Sequence, residues 1–213
     1  MVEKTESNDG PSPDVADVAV VRKRPKPGER KLQILHTLAH MLEQPGFDRI
    51  TTAALAAKLE VSEAALYRHF ASKAQMFEGL IEFIENTLFN LINQILEKEI
   101  PPESKPEQIA FVLLQFAEKN RGMTRVMVGD ALVFENDRLQ TRMNQLFDRI
   151  ESNLRIVYKE AAQSSKSTTP SVDAQMQASA LVSFVMGKML RFTRSGFKRA
   201  PTEHLEGSLK LIC

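Results

Sequence analysis

The chain has 213 residues, of which 43% are hydrophobic, which is enough to bury a sizeable core. Its single cysteine, Cys213, excludes an internal disulfide framework and a cysteine-ligated zinc site and predicts a reducing, cytoplasmic setting. No apolar run reaches the roughly 18 residues that a membrane span requires, so no membrane partner is expected.

The net charge of +1 conceals a segregation of charge along the chain. Residues 1–21 carry one lysine against five acids, residues 22–75 carry ten basic residues against five acids, and the rest balance at seventeen of each. A basic block beside a neutral remainder favours one part that meets a polyanion and another part with a different role. On charge alone, a solvated basic face explains the pattern equally well.

From residue 28 onward almost every segment has helical periodicity and none has convincing strand alternation, so the predicted fold class is all-α. Residues 1–27 are rich in Pro, Ser and acidic residues, and we interpret them as a disordered extension. The extension ends in a basic run, Arg22–Lys26, which is a candidate arm for the minor groove of DNA. The first amphipathic helix is predicted over Glu29–Gln44.

Two short helices follow and predict a helix-turn-helix, with the second helix as the recognition helix. They cover Thr52–Leu59 and Glu63–His69, and Glu60-Val61-Ser62 forms the break between them. Small alanines allow the pair to pack closely, and the serine of the break is placed to cap the second helix. A long helix opens with a capping-box pattern and is predicted over Lys73–Glu99. The unit coincides with the basic block, which favours double-stranded DNA as the polyanion.

The run ITTAALAAKLEVSEAALYRHFASK, residues 50–73, resembles the DNA-binding domain of the TetR family of regulators. The resemblance implies a TetR-like fold, with a helix-turn-helix domain over residues 28–75 and a helical dimerisation and partner-binding domain over residues 76–213. It also implies a homodimer whose two recognition helices read a palindromic site.

Three later strings are similar to a nucleoid-occlusion branch of this family. They are LIEFIE (residues 80–85), FENDRLQTRMNQLFDRIE (134–151) and LRFTRSGFKRAPT (190–202). The similarity implies dimers, in the cytoplasm and on the nucleoid, that occupy dispersed chromosomal sites and inhibit assembly of the division GTPase FtsZ. Higher-order assembly on DNA is compatible with it. The residues considered for the partner surface are Phe83, Lys119 and Asn120. Phe83 falls off the apolar stripe of the long helix, so its ring needs a neighbour from a second layer, from the other protomer or from a partner.

The side chains expected on DNA lie around the helix-turn-helix. Ala64 and Ala65 are small enough to approach thymine methyl groups, although both are also ordinary helix formers. Tyr67 and His69 resemble family positions that contact the DNA backbone, and Lys73 at a helix N-terminus favours a phosphate. The expected DNA-binding set is Thr51, Thr52, Ser62, Glu63, Ala64, Ala65, Tyr67, Arg68, His69 and Lys73.

Two segments depart from the family pattern. Glu60 stands where the family usually has glycine, and a left-handed backbone there would cost about 1 kcal/mol. Residues 203–213 fit the family poorly. The preceding segment, residues 172–197, mixes small and large apolar side chains, which favours a dimer seam over a buried helix of a monomer. The cations of residues 186–199 are expected to face either an acidic partner or solvent, and they are Lys188, Arg191, Arg194, Lys198 and Arg199.

Other function classes have weaker support. His36 and His40 have a spacing that metal sites use, but no third ligand is evident, and no catalytic scaffold is recognisable, so no metal, cofactor or enzyme activity is expected. The main alternative is a ligand-responsive repressor of the TetR type. It would need a pocket lined by side chains such as Phe111, Phe116, Met127 and Phe184. A third alternative is a helical adaptor that has lost DNA binding. Glu60, in place of the usual glycine, would then reflect that loss.

Overall fold

The computed structural model describes residues 28–44 and 50–212, and these contain nine α-helices and no strand, which confirms the all-α prediction. The predicted extension over residues 1–27, with its basic arm, lies outside the described residues. Short 3-10 turns cover Pro102–Ser104 and Asp130–Leu132. The helices are α1 (Glu29–Glu43), α2 (Thr52–Lys58), α3 (Glu63–Tyr67), α4 (Lys73–Leu96), α5 (Lys105–Lys119), α6 (Arg121–Met127), α7 (Asp137–Ser164), α8 (Pro170–Arg194) and α9 (Leu205–Leu209).

Side-chain caps explain where the helices of the helix-turn-helix unit begin. The hydroxyls of Thr51 and Ser62 accept backbone N–H bonds in the first turns of α2 and α3. Ser72 caps α4 in the same way, by accepting from the N–H of Gln75 at 3.2 Å. In turn, the side-chain oxygen of Gln75 accepts a hydrogen bond from the N–H of Ala71 at 2.9 Å, one residue before the cap. The predicted capping box is therefore present in a slightly shifted form.

The turn between α2 and α3 passes through the left-handed region at Glu60, where φ is 55°. The N–H of Glu60 donates to the carbonyl of Ala57 at 3.1 Å, and the N–H of Val61 donates to the carbonyl of Ala56 at 3.0 Å. These two bonds are the Schellman pattern that ends a helix, in which the left-handed residue is usually glycine. The strain expected from the sequence at this turn is therefore present.

Replacing Glu60 with glycine should raise the free energy of unfolding by about 0.5–1 kcal/mol. Glycine adopts positive φ without the steric cost of a Cβ, although its freer unfolded chain offsets part of the gain. Urea denaturation followed by circular dichroism measures the change. Glu60→Ala is the matched control, because it removes the carboxylate and keeps the Cβ, and it should give no such gain. Equal stabilisation by both variants would contradict backbone strain as the cause.

The long helices α4, α5, α7 and α8 enclose one continuous apolar core, to which α1 and α6 also contribute. Helices α7 and α8 form the most extensively packed pair and run antiparallel, since five residues connect them. Helix α4 links the helix-turn-helix unit to this core, and its apolar stripe is fully buried from Met76 to Ile95. The position of α2 and α3 relative to the core therefore depends on α4.

The two phenylalanines of α4 that fall off its stripe find neighbours within the same protomer. The ring of Phe83 packs edge to face on His36 of α1, with 5.8 Å between ring centroids. The guanidinium of Arg149, in α7, lies 4.0 Å from the centroid of the Phe89 ring. Of the neighbours that the sequence allowed for these rings, the structure therefore supplies a second layer of helices.

Helices α1 and α6 approach each other at backbone distance. Gly122, in α6, is buried against Ala39 of α1, and a Cβ on Gly122 would lie 1.8 Å from the Ala39 carbonyl oxygen. Arg125 strengthens the contact by donating a hydrogen bond to the carbonyl of Leu42 at 3.3 Å. Only a glycine fits this crossing.

Candidate nucleic-acid interface

The first residues of α2 and α3 are joined by a short chain of hydrogen bonds. The hydroxyl of Thr52 donates to Glu63 Oε2 at 2.6 Å, and the hydroxyl of Tyr67 donates to Thr52 Oγ1 at 3.4 Å. Because Thr52 opens α2 and Glu63 opens α3, these bonds hold the two helix starts side by side. The recognition helix is therefore fixed on its neighbour before any ligand binds, which lowers the entropic cost of binding.

One side of α3 is open to solvent and the other is packed in the core. Leu66 and Phe70 are buried, as predicted, and they anchor the helix. The exposed side carries a carboxylate, a methyl group, a phenol and a guanidinium, which are groups suited to base edges and phosphates. Within the expected DNA-binding set, the exposed members are Thr51, Ser62, Glu63, Ala64, Tyr67 and Arg68, and the half-buried members are Thr52, Ala65, His69 and Lys73.

Lys73 differs from the other members of the set because its partner is a carboxylate of the helical core. It forms an ion pair with Glu135, which precedes α7, and the two side chains retain 25% and 11% of their exposure. The same ammonium lies 5.7 Å from the centroid of the Phe77 ring. No local pattern signals this contact, since the two residues are 62 positions apart.

Two further ion pairs hold α4 against the beginning of α7. Arg138 pairs with Glu78 at 2.9 Å, and Arg142 pairs with Glu85 at 2.6 Å. The hydrogen bond from Arg142 to Glu85 raises the pKa of the guanidinium above its ordinary value, and partial burial opposes this effect. Arg142 therefore stays charged at every pH at which the protein is folded.

The residues considered for a protein partner occupy different environments. Phe83 is half-buried against α1, while Lys119 is exposed at the end of α5. The Asn120 side chain donates to the carbonyl of Phe116 at 2.8 Å, so it serves as a cap at this end of α5. Among the described residues, the exposed cations without a side-chain partner near this end of α5 and the end of α8 are Lys119, Arg191, Arg194, Lys198 and Arg199.

The side chains named for a ligand pocket do not gather around one cavity. Phe116 and Met127 are buried in the core, and Phe184 is half-buried beside Lys188. Phe111 is exposed and lines an open surface groove of about 450 Å³ between the end of α4, α5 and α9. The gap enclosed by α5, α7 and α8 in the core leaves no volume for a water-sized molecule. These observations disfavour a ligand chamber inside that part of the bundle.

No cluster of three or more potential metal ligands occurs among the residues that the structure describes. Of the two histidines considered for metal, His36 packs on Phe83 and His40 lies 3.7 Å from Glu43. Within the described ranges, no helix is long and apolar enough to cross a membrane.

Two family models match the chain. Residues 34–80 match bacterial regulatory proteins of the tetR family, and residues 104–213 match a tetracyclin repressor-like C-terminal domain of SlmA-like type. The nucleoid occlusion factor SlmA of Idiomarina loihiensis is 51% identical over 183 residues, covering 86% of this chain and 93% of the relative. SlmA of Photobacterium profundum is 49% identical, covering 88% of this chain and 95% of the relative. This chain belongs to the SlmA family of nucleoid occlusion factors.

Membership of the SlmA family confirms both resemblances that the sequence carried. The match over residues 104–213 includes the segment 203–213, so the expectation that this segment fits the family poorly was wrong. The structure accounts for the match, because Leu205 and Leu209 of α9 are buried.

Solved structures of TetR-type regulators share the fold at low sequence identity. FadR of Bacillus subtilis, in complex with stearoyl-CoA, superposes with a TM-score of 0.70 at 15% identity, covering 85% of this chain and 96% of that one. PfmR of Thermus thermophilus superposes with a TM-score of 0.69 at 23% identity, covering 84% and 96%. These likenesses confirm the TetR-like fold class.

If Tyr67 contacts the DNA backbone, as the resemblance implies, Tyr67→Ala should weaken DNA binding about tenfold on specific and unrelated duplexes alike, because such a contact carries no sequence information. Fluorescence anisotropy with labelled duplexes at fixed salt measures the loss. Tyr67→Phe removes only the hydroxyl and should account for most of it. A loss confined to one base position would instead indicate direct reading of a base.

Proposed function

We propose that this protein binds palindromic chromosomal sites as a homodimer and, from those sites, inhibits FtsZ assembly over the nucleoid. The observation that carries the proposal is the SlmA-family identity of about half of all residues over most of the chain. The capped and exposed recognition helix supports the DNA-binding half of it. The division into a DNA-binding part, residues 28–75, and a dimerisation and partner part, residues 76–213, is included in the proposal.

The proposed dimer seam is one face of α8. Val172 and Met176 are exposed at 57% and 60%, and Ser183, Gly187 and Leu190 follow on the same side of the helix. This side has no charged residue over five turns, and its small residues permit close helix approach. Such an apolar strip matches a two-fold interface in which the same patch of each protomer meets its copy.

The proposed FtsZ surface lies at the junction of α5, α6 and the end of α8. Lys119 is exposed there, and Arg121 stacks over the ring of Phe197 at 5.8 Å. Further exposed cations at the end of α8 make the surface basic, which suits an acidic partner segment. Phe83, the third residue proposed for the partner, packs on His36 of α1.

A ligand-responsive repressor is the other function that the fold allows, and the open groove beside Phe111 is the observation that favours it. The filled core between α5, α7 and α8 counts against it. An adaptor without DNA binding is less favoured, because α2 and α3 retain both caps and the hydrogen bonds between them.

Crosslinking and sequencing of the protein on its own chromosome tests the proposal. We expect many palindromic sites that are spread over the chromosome, sparse near the terminus and unrelated to promoters. One recovered duplex is then added, with the protein, to polymerising FtsZ in a sedimentation assay, and loss of pelleted FtsZ is expected. One or two promoter sites, with FtsZ polymers unaffected, would instead indicate a conventional repressor.

A further inference from the structure

Lys73 stands at the boundary between DNA and the helical core. It is the first residue of α4, directly after the helix-turn-helix, where a cation is expected to meet a phosphate. In the free protein, however, its ammonium group is held by Glu135. We propose that Glu135 is an internal competitor of DNA for Lys73, so that binding to a phosphate requires the Lys73–Glu135 pair to open. The inference rests on the DNA-binding function.

The position of Glu135 is fixed by the turn that carries it. Its N–H donates to the carbonyl of Leu132 at 2.9 Å, which closes the turn on one side. On the other side Asn136 caps α7 by accepting from the N–H of Arg138 at 3.1 Å. The carboxylate is therefore presented to Lys73 by a hydrogen-bonded turn.

The neighbouring cations are not free to replace Lys73 as a partner. Arg138 pairs with Glu78, and Arg142 pairs with Glu85. If a phosphate captures Lys73, the carboxylate of Glu135, only 11% exposed, loses the partner that compensates its burial. A negative charge also remains close to the phosphate. Both effects oppose DNA binding. The affinity for DNA is therefore lower than it would be if Lys73 had no carboxylate partner.

The contact also makes the two parts of the protein responsive to each other. By linkage, any interaction that draws Glu135 away from Lys73 strengthens DNA binding, and DNA binding strengthens that interaction by the same factor. This turn displays two apolar side chains, Val133 and Phe134, exposed at 71% and 66%. DNA binding is thus coupled to the conformation of this turn and of its two exposed apolar side chains.

Glu135→Gln provides the direct test, with anisotropy titrations against a palindromic duplex recovered from the chromosome and against a scrambled duplex. We expect about tenfold tighter binding to both, the effect of one partly buried charge pair. The slope of log K against log salt should stay the same, because Lys73 reaches the same phosphate in both proteins once the pair has opened. Unchanged affinity would overturn the proposal.

Two controls separate competition from general charge repulsion. Glu78→Gln removes a neighbouring carboxylate of the α4–α7 interface and leaves Lys73 paired, so it should give no gain. In a Lys73→Met background, Glu135→Gln should give no gain in DNA affinity either, because the cation for which Glu135 and DNA compete is absent. An equal gain with either control would overturn the proposal in favour of simple repulsion.

Hydrogen exchange of the wild-type protein gives a second readout that needs no variant. Amides of residues 132–139 should exchange faster when saturating duplex is present, and unchanged or slower exchange would overturn the proposal. Binding of duplex by the wild type is measured first. Its absence would refute the DNA-binding function itself, whereas normal binding with an inert Glu135 would refute only the competition.

Discussion

Gly122→Ala should lower the free energy of unfolding by about 3 kcal/mol, the upper range for overpacking a core by one methyl group. The new Cβ would lie 1.8 Å from the carbonyl oxygen and 2.8 Å from the carbonyl carbon of Ala39. Both atoms belong to the backbone of α1, so no rotamer change relieves the overlap, and α1 must move away from α6. Urea denaturation at one fixed protomer concentration measures the loss, since the proposed dimerisation would make stability depend on concentration.

Gly207→Ala is the matched control for this loss. Gly207 lies in α9, and nothing stands within 4 Å of the position that its Cβ would occupy. Alanine there should be neutral or stabilise by up to about 1 kcal/mol through its better helix propensity. If Gly122→Ala changed stability by less than about 1 kcal/mol, α1 and α6 would not cross as tightly as the structure indicates.

Ser183→Arg should convert the proposed dimer into monomers and reduce affinity for a palindromic duplex by about 100-fold or more. Ser183 is exposed at the centre of the uncharged side of α8, so arginine is harmless to a lone protomer. In the dimer it would bury a charge against its own copy. A monomer binds one half-site and loses the effective concentration that linking two half-sites provides. Sedimentation velocity and anisotropy measure the two effects.

The loss of affinity expected for Ser183→Arg is informative, because on electrostatics alone the added positive charge would strengthen binding to DNA. Gln94→Arg is the control, since Gln94 is exposed on α4 and lies outside the α8 face. It should leave the oligomeric state unchanged and should not weaken DNA binding. A Ser183→Arg protein that stays dimeric would place the interface elsewhere, and a monomer with undiminished affinity would refute recognition by paired half-sites.

Local signals in the sequence located the helix-turn-helix correctly. Ser62 and Ser72 were readable as caps because a cap acts within three residues of chain, and the structure has both. The strain at Glu60 was predicted from the family resemblance, because the family usually has glycine there, and the structure has positive φ at this residue. The predicted ends of α3 and α4 were too late by two and three residues. Helix ends depend on weak terminal bonds that packing and the following turn decide.

The helical fold, the site of the recognition helix and the family were determined by the sequence itself, because periodicity, caps and motif spacing are local properties of the chain. Only the tertiary structure decided which distant residues meet. The pairing of Lys73 with Glu135, the packing of Phe83 on His36 and the contact of Gly122 with Ala39 all join segments far apart in sequence. Such contacts arise from the way helices cross, which no local pattern specifies.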